Sequence, residues 1–137
     1  MVSQLVIHDV PIECVNQAAV RYHVPATIIL SILQVEQGHV GLAKPNPNHT
    51  VDYGPMQINS IWIKTLAAYG ISRQELQYNP CTNVAVGAWI LSQKIAESKD
   101  LWQGIAAYHS GTPSENKKYR YAVTQVYLNM IHVLQQA

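Results

Sequence analysis

The sequence predicts an all-α fold in a single domain. Three observations predict it. Apolar residues recur at helical spacing in segments bracketed by Pro and Gly. Helix-start signals recur along the chain, with Ser72-Arg73-Gln74-Glu75 and Asn79-Pro80 the clearest. The length, 137 residues, fits one domain with one core, and a hydrophobic fraction of 48% is enough to fill it.

Each element follows in order. Pro11 opens a first helix, whose face continues through Ala18, Ala19 and Tyr22. Pro25 starts the second, which Gly38 ends. Between them Ala26-Thr27-Ile28-Ile29-Leu30-Ser31-Ile32-Leu33 is the most apolar stretch of the chain. The β-branched Ile28-Ile29 pair imitates a strand, but length and brackets favour a helix. Residues 39 to 55 read as a loop, because Lys44-Pro45-Asn46-Pro47-Asn48-His49-Thr50 is polar and dense in breakers. Asn59 or Ser60 caps a helix that Gly70 stops. Ser72 and Glu75 form a capping box for a short helix. Asn79-Pro80 then starts a central helix carrying Val84, Gly87, Ala88, Leu91 and Ile95. Asp100 caps Leu101 to Tyr108, and Gly111-Thr112-Pro113-Ser114 is a turn. The last helix runs from about Glu115 to His132, with Val123, Val126, Tyr127, Met130 and Leu134 facing the core. The sum is six or so helices with little room for a sheet.

Composition narrows the function. Nine basic and eight acidic residues give a net charge of +1, without the basic stripe that nucleic-acid binding needs. The charge cluster from Glu115 to Arg120 reads as a solvated helix surface. No run of eighteen apolar residues is present, so no transmembrane segment is expected. Eight Tyr and three Trp, with no Phe, favour a polar ligand groove, since both side chains join flat surfaces to polar atoms. The stretch from Met1 to Val10 is too short for a signal peptide and contains His8 and Asp9. Cys14 and Cys81 lie too far apart for a CxxC motif. Two outcomes stand: separate buried thiols, or one long-range disulfide that needs an oxidising compartment. With the disulfide, the chain is a mature form from which an export signal was removed.

Glu36 ends the apolar segment, in Val35-Glu36-Gln37-Gly38. Burial raises a carboxyl group's proton affinity, which makes Glu36 a candidate general acid. Asp52 is the one acidic residue of the central loop. Asp9, Glu13, Glu75, Glu97, Asp100 and Glu115 all fall at helix starts or on polar faces, where capping and dipole roles suffice. His39, His49 and Asp52 share a loop but fit no ligand spacing, so neither metal nor cofactor is expected.

Three blocks now stand in order: Val35-Glu36-Gln37-Gly38, Asp52-Tyr53-Gly54-Pro55-Met56-Gln57-Ile58-Asn59-Ser60, and Ala107-Tyr108-His109-Ser110-Gly111. They resemble the Slt-type lytic transglycosylases, and more closely the small VirB1-like peptidoglycan-cleaving proteins of bacterial secretion, conjugation and pilus systems. Asn79 to Leu91 resembles that group's central helix, and Cys14 and Cys81 its disulfide pair. The likeness covers residues 12 to 127 of a domain taken as 1–137. It implies a goose-type-lysozyme-like helical domain with a glycan groove.

The resemblance places the catalytic acid, then base, on Glu36. It implies cleavage of the bond from N-acetylmuramic acid to N-acetylglucosamine, giving a 1,6-anhydro product. Substrate assistance then makes a carboxylate nucleophile unnecessary. Tyr121 resembles the family's late tyrosine that reaches the carboxyl, with Tyr119 as the competing register. Gln57 matches the groove glutamine. Gln37, Asp52, Gly54, Met56, Asn59, Tyr108 and His109 complete the expected substrate contacts. Gln37 stands where Ser is usual, Pro55 where Leu is usual, and His109 where Asn is usual. The implied partners are peptidoglycan strands and components of an envelope machine, met by a monomer in the periplasm of a Gram-negative bacterium. Two other readings use the same groove: a hydrolytic muramidase or chitinase, and a non-catalytic wall-binding assembly protein.

Overall fold

The computed structural model describes residues 5–109 and 113–136. Ser110 of the third block, and Gly111 and Thr112 of the expected turn, lie outside the described residues. Among the described residues seven α-helices carry the fold: α1 Ile12–Tyr22, α2 Ala26–Glu36, α3 Ile63–Ala67, α4 Arg73–Tyr78, α5 Pro80–Glu97, α6 Leu101–His109 and α7 Pro113–Gln136. A 3-10 turn, Ser60–Trp62, leads into α3. The α-helical class is as predicted.

Local chemistry accounts for most helix ends. The Asn59 side chain accepts the Ile61 N–H at 3.0 Å. Ser72 and Glu75 close the capping box at α4. Asn79 accepts the N–H groups of Cys81 and Thr82 at 3.1 Å each, just ahead of Pro80. Asp100 accepts the Gln103 N–H at 2.9 Å. One terminator differs from expectation. Gln37, not Gly38, takes the left-handed position that ends α2, with φ 54°.

The central loop is more ordered than its breakers suggested. Strands β1 Val6–Ile7 and β2 Val10–Pro11 form a small antiparallel ribbon. Strands β3 Ala43–Pro45, β4 Val51–Tyr53 and β5 Ile58–Asn59 form an antiparallel sheet in that order. Its register sets Lys44 opposite Asp52, and Asp52 opposite Asn59. Strands of two or three residues are too short to show alternation in sequence. The polar turn between β3 and β4 is tied internally: Asn46 Nδ2 donates to Thr50 Oγ1, and that hydroxyl donates to Asn48 Oδ1.

Helix α5 is the central element. It packs on α6, α1 and α4, while α2 packs on α7 and α1. Ile28, Ile29, Ile32 and Leu33 of α2 are fully or almost fully buried beside Val84 and Leu91 of α5 and Val123 of α7. The buried hydroxyl of α2, Ser31, donates to the Thr27 carbonyl at 2.7 Å. α7 has 24 residues where its partner α2 has 11, so it outruns its packing surface. Leu134, expected in the core, is therefore exposed.

Asn83 of α5 is completely buried and fully used. Its Nδ2 donates to the Tyr53 and Leu76 carbonyls at 2.9 Å each, and its Oδ1 accepts the Met56 N–H at 2.8 Å. It fixes the turn Gly54-Pro55-Met56-Gln57 against α4 and α5. Gly54 sits there with φ +70°, and a Cβ would meet the Leu76 carbonyl at 2.6 Å, so only glycine fits. Cys14 of α1 is bonded to Cys81 of α5, with their Cα atoms 5.3 Å apart.

Two stability predictions follow from these ties. Asn83→Ala strips partners from three buried backbone groups and is expected to cost about 3 kcal/mol in urea unfolding. Replacing both cysteines with Ser frees a loop of 67 residues and is expected to lower stability by about 4 kcal/mol. An equal midpoint for wild type and either variant contradicts the corresponding tie.

Candidate active site

The site begins where α2 leaves the core. Glu36 is its last residue, and the left-handed Gln37 turns the chain sharply away. Gly38 then lies against the Gly54-Pro55 backbone, where a Cβ would stand 2.6 Å from the Pro55 carbonyl oxygen. That approach joins the end of α2 to the turn held by Asn83. An open cleft of about 630 Å³ lies over Glu36. Its other walls are the β3–β4 turn, the β4–β5 sheet, the 3-10 turn, α5 and α6.

Burial governs the electrostatics. It raises the Glu36 pKa from its ordinary 4.5 to about 7. The Tyr119 hydroxyl lowers it in part, Asp52 raises it, and Lys44 lowers it slightly. The carbonyl end of α2 also disfavours a negative charge at this position. At neutral pH, Glu36 therefore exists as both acid and carboxylate.

Two tyrosines face this carboxyl group. Tyr108 lines the cleft and donates its proton to the Met56 carbonyl at 3.1 Å. Its phenol pKa lies well above the ordinary value, through burial and then the charges of Glu36 and Asp52, so it stays neutral. Tyr119 comes from α7 and is 5% exposed. Its hydroxyl points to Glu36 closely enough for each to shift the other's pKa, although no partner among the described residues meets full hydrogen-bond geometry. His109 stacks on the Tyr119 ring, with centroids 4.4 Å apart and planes at 7°. Partial burial lowers the His109 pKa, with Glu115 and then Asp52 opposing.

The assignment of the late tyrosine to Tyr121 is corrected by this geometry. Residues two apart on a helix point to nearly opposite faces. Tyr119 faces the core and Glu36, whereas Tyr121 is 68% exposed. Other expected positions sort in the same way. Asp52, Gln57, Asn59, Tyr108 and His109 line the cleft with Glu36. Gln37, Gly54 and Met56 do not: Gln37 is an exposed helix cap, Gly54 is a buried turn residue, and Met56 is fully buried against Gly87. Gln57 Nε2 donates to the Gly54 carbonyl at 2.9 Å, leaving its Oε1 for a ligand. Asn59 Nδ2 donates to Asp52 Oδ1 at 2.9 Å and steadies that carboxylate.

Asn46, Asn48, Trp62, Lys94 and Glu115 also line the cleft. Sequence reading passed over them. The two Asn residues read as part of the breaker-rich loop and Glu115 as a helix-start charge, while Trp62 and Lys94 carried no signal. Lys94 Nζ stands 5.9 Å from the Trp62 ring centroid. They come from four separate segments, the β3–β4 turn, the 3-10 turn, α5 and α7, and only the tertiary fold brings them together.

A family profile described as "Transglycosylase SLT domain" matches residues 13–131. The chain is 32% identical to Protein IpgF of Shigella flexneri over 109 residues, 79% of this chain and 72% of that protein. It is 33% identical over 109 residues to Invasion protein IagB of Salmonella typhimurium, 79% of this chain and 68% of that protein. It is 31% identical over 115 residues to a Peptidoglycan-binding-like protein of Escherichia coli O157:H7, 78% of this chain and 69% of that protein.

The raised pKa makes a signed prediction. Glu36 ionises less readily in the folded than in the unfolded chain, so folding loses stability as pH rises from about 4.5 through about 7. A rise of about 2.5, at about 1.4 kcal/mol each, sets an upper bound of about 3.5 kcal/mol. Glu36→Gln should match wild type near pH 4 and exceed it in stability above pH 7. Tyr119→Phe should raise the Glu36 pKa further, while Tyr121→Phe leaves it in place. Carboxyl carbon shifts followed by NMR against pH read both outcomes.

Proposed function

The chain belongs to the transglycosylase SLT domain family, and from that membership we propose that it is a peptidoglycan lytic transglycosylase. It cleaves the β-1,4 bond from N-acetylmuramic acid to N-acetylglucosamine and leaves a 1,6-anhydromuramoyl end. The observation that carries this reading is Glu36: a half-buried, largely desolvated carboxyl group with pKa about 7 under an open cleft. One group acting first as acid and then as base works best near that value.

Protonated Glu36 gives its proton to the glycosidic oxygen as the C1–O bond breaks. The 2-acetamido oxygen of the muramoyl sugar bonds to C1 and takes up the developing charge. Glu36, now a carboxylate, removes the proton from the muramoyl 6-hydroxyl. That oxygen closes on C1, the acetamido bond to C1 breaks, and Glu36 regains its starting proton. No water is consumed. Tyr119 stabilises the carboxylate intermediate, and Tyr108 offers only an acceptor oxygen because Met56 holds its proton. Gln57 Oε1 and the Asn46–Asn48–Asn59 edge suit acetamido and hydroxyl groups.

The place of action in this reading is the periplasm, where a local opening in the wall admits a secretion, conjugation or pilus machine. The Cys14–Cys81 bond supports an oxidising compartment. A relative named as an invasion protein and another named as peptidoglycan-binding-like support an envelope role. Among the described residues, no helix is long and apolar enough to cross a membrane.

Asp52 supports a second reading. It lines the same cleft and is held by Asn59, so it could orient a water for hydrolysis. Digestion of purified peptidoglycan with mass analysis decides. The lytic reaction yields fragments one water lighter than hydrolysis does. Glu36→Gln is expected to reduce release by at least about a thousandfold, given the usual worth of proton transfer and positioning together. Reducing ends from wild type would establish hydrolysis, and equal release by the variant would remove Glu36 from the reaction.

A further inference from the structure

A second groove, of about 520 Å³, lies among the end of α1, the α3–α4 connection and α5. It follows α5 from Thr82 to Trp89, whereas the cleft follows α5 from Ile90 to Lys94. Aromatic rings join the two. Trp62 of the cleft meets Trp89 at 5.8 Å and 75°, and Trp89 meets Tyr69 of the second groove at 6.1 Å and 63°. Tyr69 is held edge-to-face by Trp89 yet remains 71% exposed. Arg21, Glu75 and Thr82 stand around these rings. They supply donors and acceptors beside an aromatic platform, a combination that suits a sugar ring with one apolar face and a hydroxylated edge.

We propose that this groove binds a further stretch of the glycan strand whose scissile bond lies in the cleft. The inference rests on the wall-cleaving reading above. The continuous Trp62–Trp89–Tyr69 path assigns the occupant: a polymer leaving the cleft over Trp62 next meets Trp89. The two charges of opposite sign and the shallow, solvent-exposed ring at Tyr69 fit a polar strand better than an apolar peptide. Tyr69 is a distal binding residue and touches no reacting atom. Its effect falls on long strands, which reach both grooves, and not on short ones.

The test measures binding in a Glu36→Gln background, so that no strand is consumed. The probes are purified sacculi, glycan strands stripped of peptide by an amidase, and a short soluble muropeptide. Tyr69→Ala is expected to lower the ratio of polymer affinity to short-ligand affinity about tenfold, the worth of one aromatic contact. Tyr69→Phe should keep the ratio, because the ring remains. Stripped glycan should show the same dependence. An unchanged ratio in Tyr69→Ala, or an equal loss in Tyr69→Phe, overturns the stacking site. Dependence that vanishes on stripped glycan assigns the groove to peptide and also overturns it. Separately, wild type that releases no fragments from the same sacculi defeats the proposed reaction, a result that the binding ratio does not share.

Discussion

Asn83 is the constraint on which the site depends. A buried amide is tolerable only if its hydrogen-bonding groups find partners. Asn83 meets that condition by binding three pieces of backbone from three elements: the end of β4, the end of α4 and the turn after β4. Everything near Glu36 is referred to that turn. Gly38, just past the end of α2, lies against its carbonyl groups. Tyr108 of α6 donates to Met56 within it, and Gln57 donates back to Gly54. The placement of Glu36, Tyr108 and Gln57 thus follows from one amide at the start of α5.

The Glu36 pKa is a balance in which burial wins. Two neighbours of like effect, Tyr119 and Lys44, pull it down, while Asp52 opposes them. Lys44 and Asp52 face each other across the β3–β4 register, so their effects on Glu36 partly cancel. What remains is the desolvation of a carboxyl group between apolar helices, set against one phenol. This makes the value a property of packing more than of ion pairing, and therefore little sensitive to salt. It also explains how a half-buried carboxyl group can hold a proton at neutral pH with the neighbouring Asp52 charge only a lesser cause.

Much of the fold was legible because its signals are local. The capping box at Ser72, the cap at Asn79 and the Pro25 start are each written within four residues; the first two formed as read, and Pro25 sits one position outside the helix it was expected to begin. Glu36 was legible as a carboxylate at the end of an apolar helix. The sheet was not, since β3, β4 and β5 are held by one another and by Asn83 more than by their own sequence. Nor was the choice between Tyr119 and Tyr121. Both lie in Lys117-Lys118-Tyr119-Arg120-Tyr121, and only the packing of α7 on α2 decides which ring turns inward. Lys94 and Trp62 carried no signal at all, because their meeting in the cleft is purely tertiary.

Tyr119 deserves weight beyond its place in the packing. A buried hydroxyl with no partner among the described residues is costly, and here it stands beside a carboxyl group whose pKa is raised to about 7. Tyr108 cannot answer the same need, because its proton is committed to Met56. The Tyr119 donor meets a stronger acceptor when Glu36 loses its proton, which in the proposed reaction occurs as the glycosidic bond breaks. An interaction that is poor before proton transfer and good after it lowers the barrier, whereas one equally good in both states would only tighten binding. The stacked, predominantly neutral His109 ring holds the phenol in that pose without adding a fixed charge that would ionise Glu36 too early. The unsatisfied hydroxyl is thus consistent with a site arranged for the ionised form of its own acid.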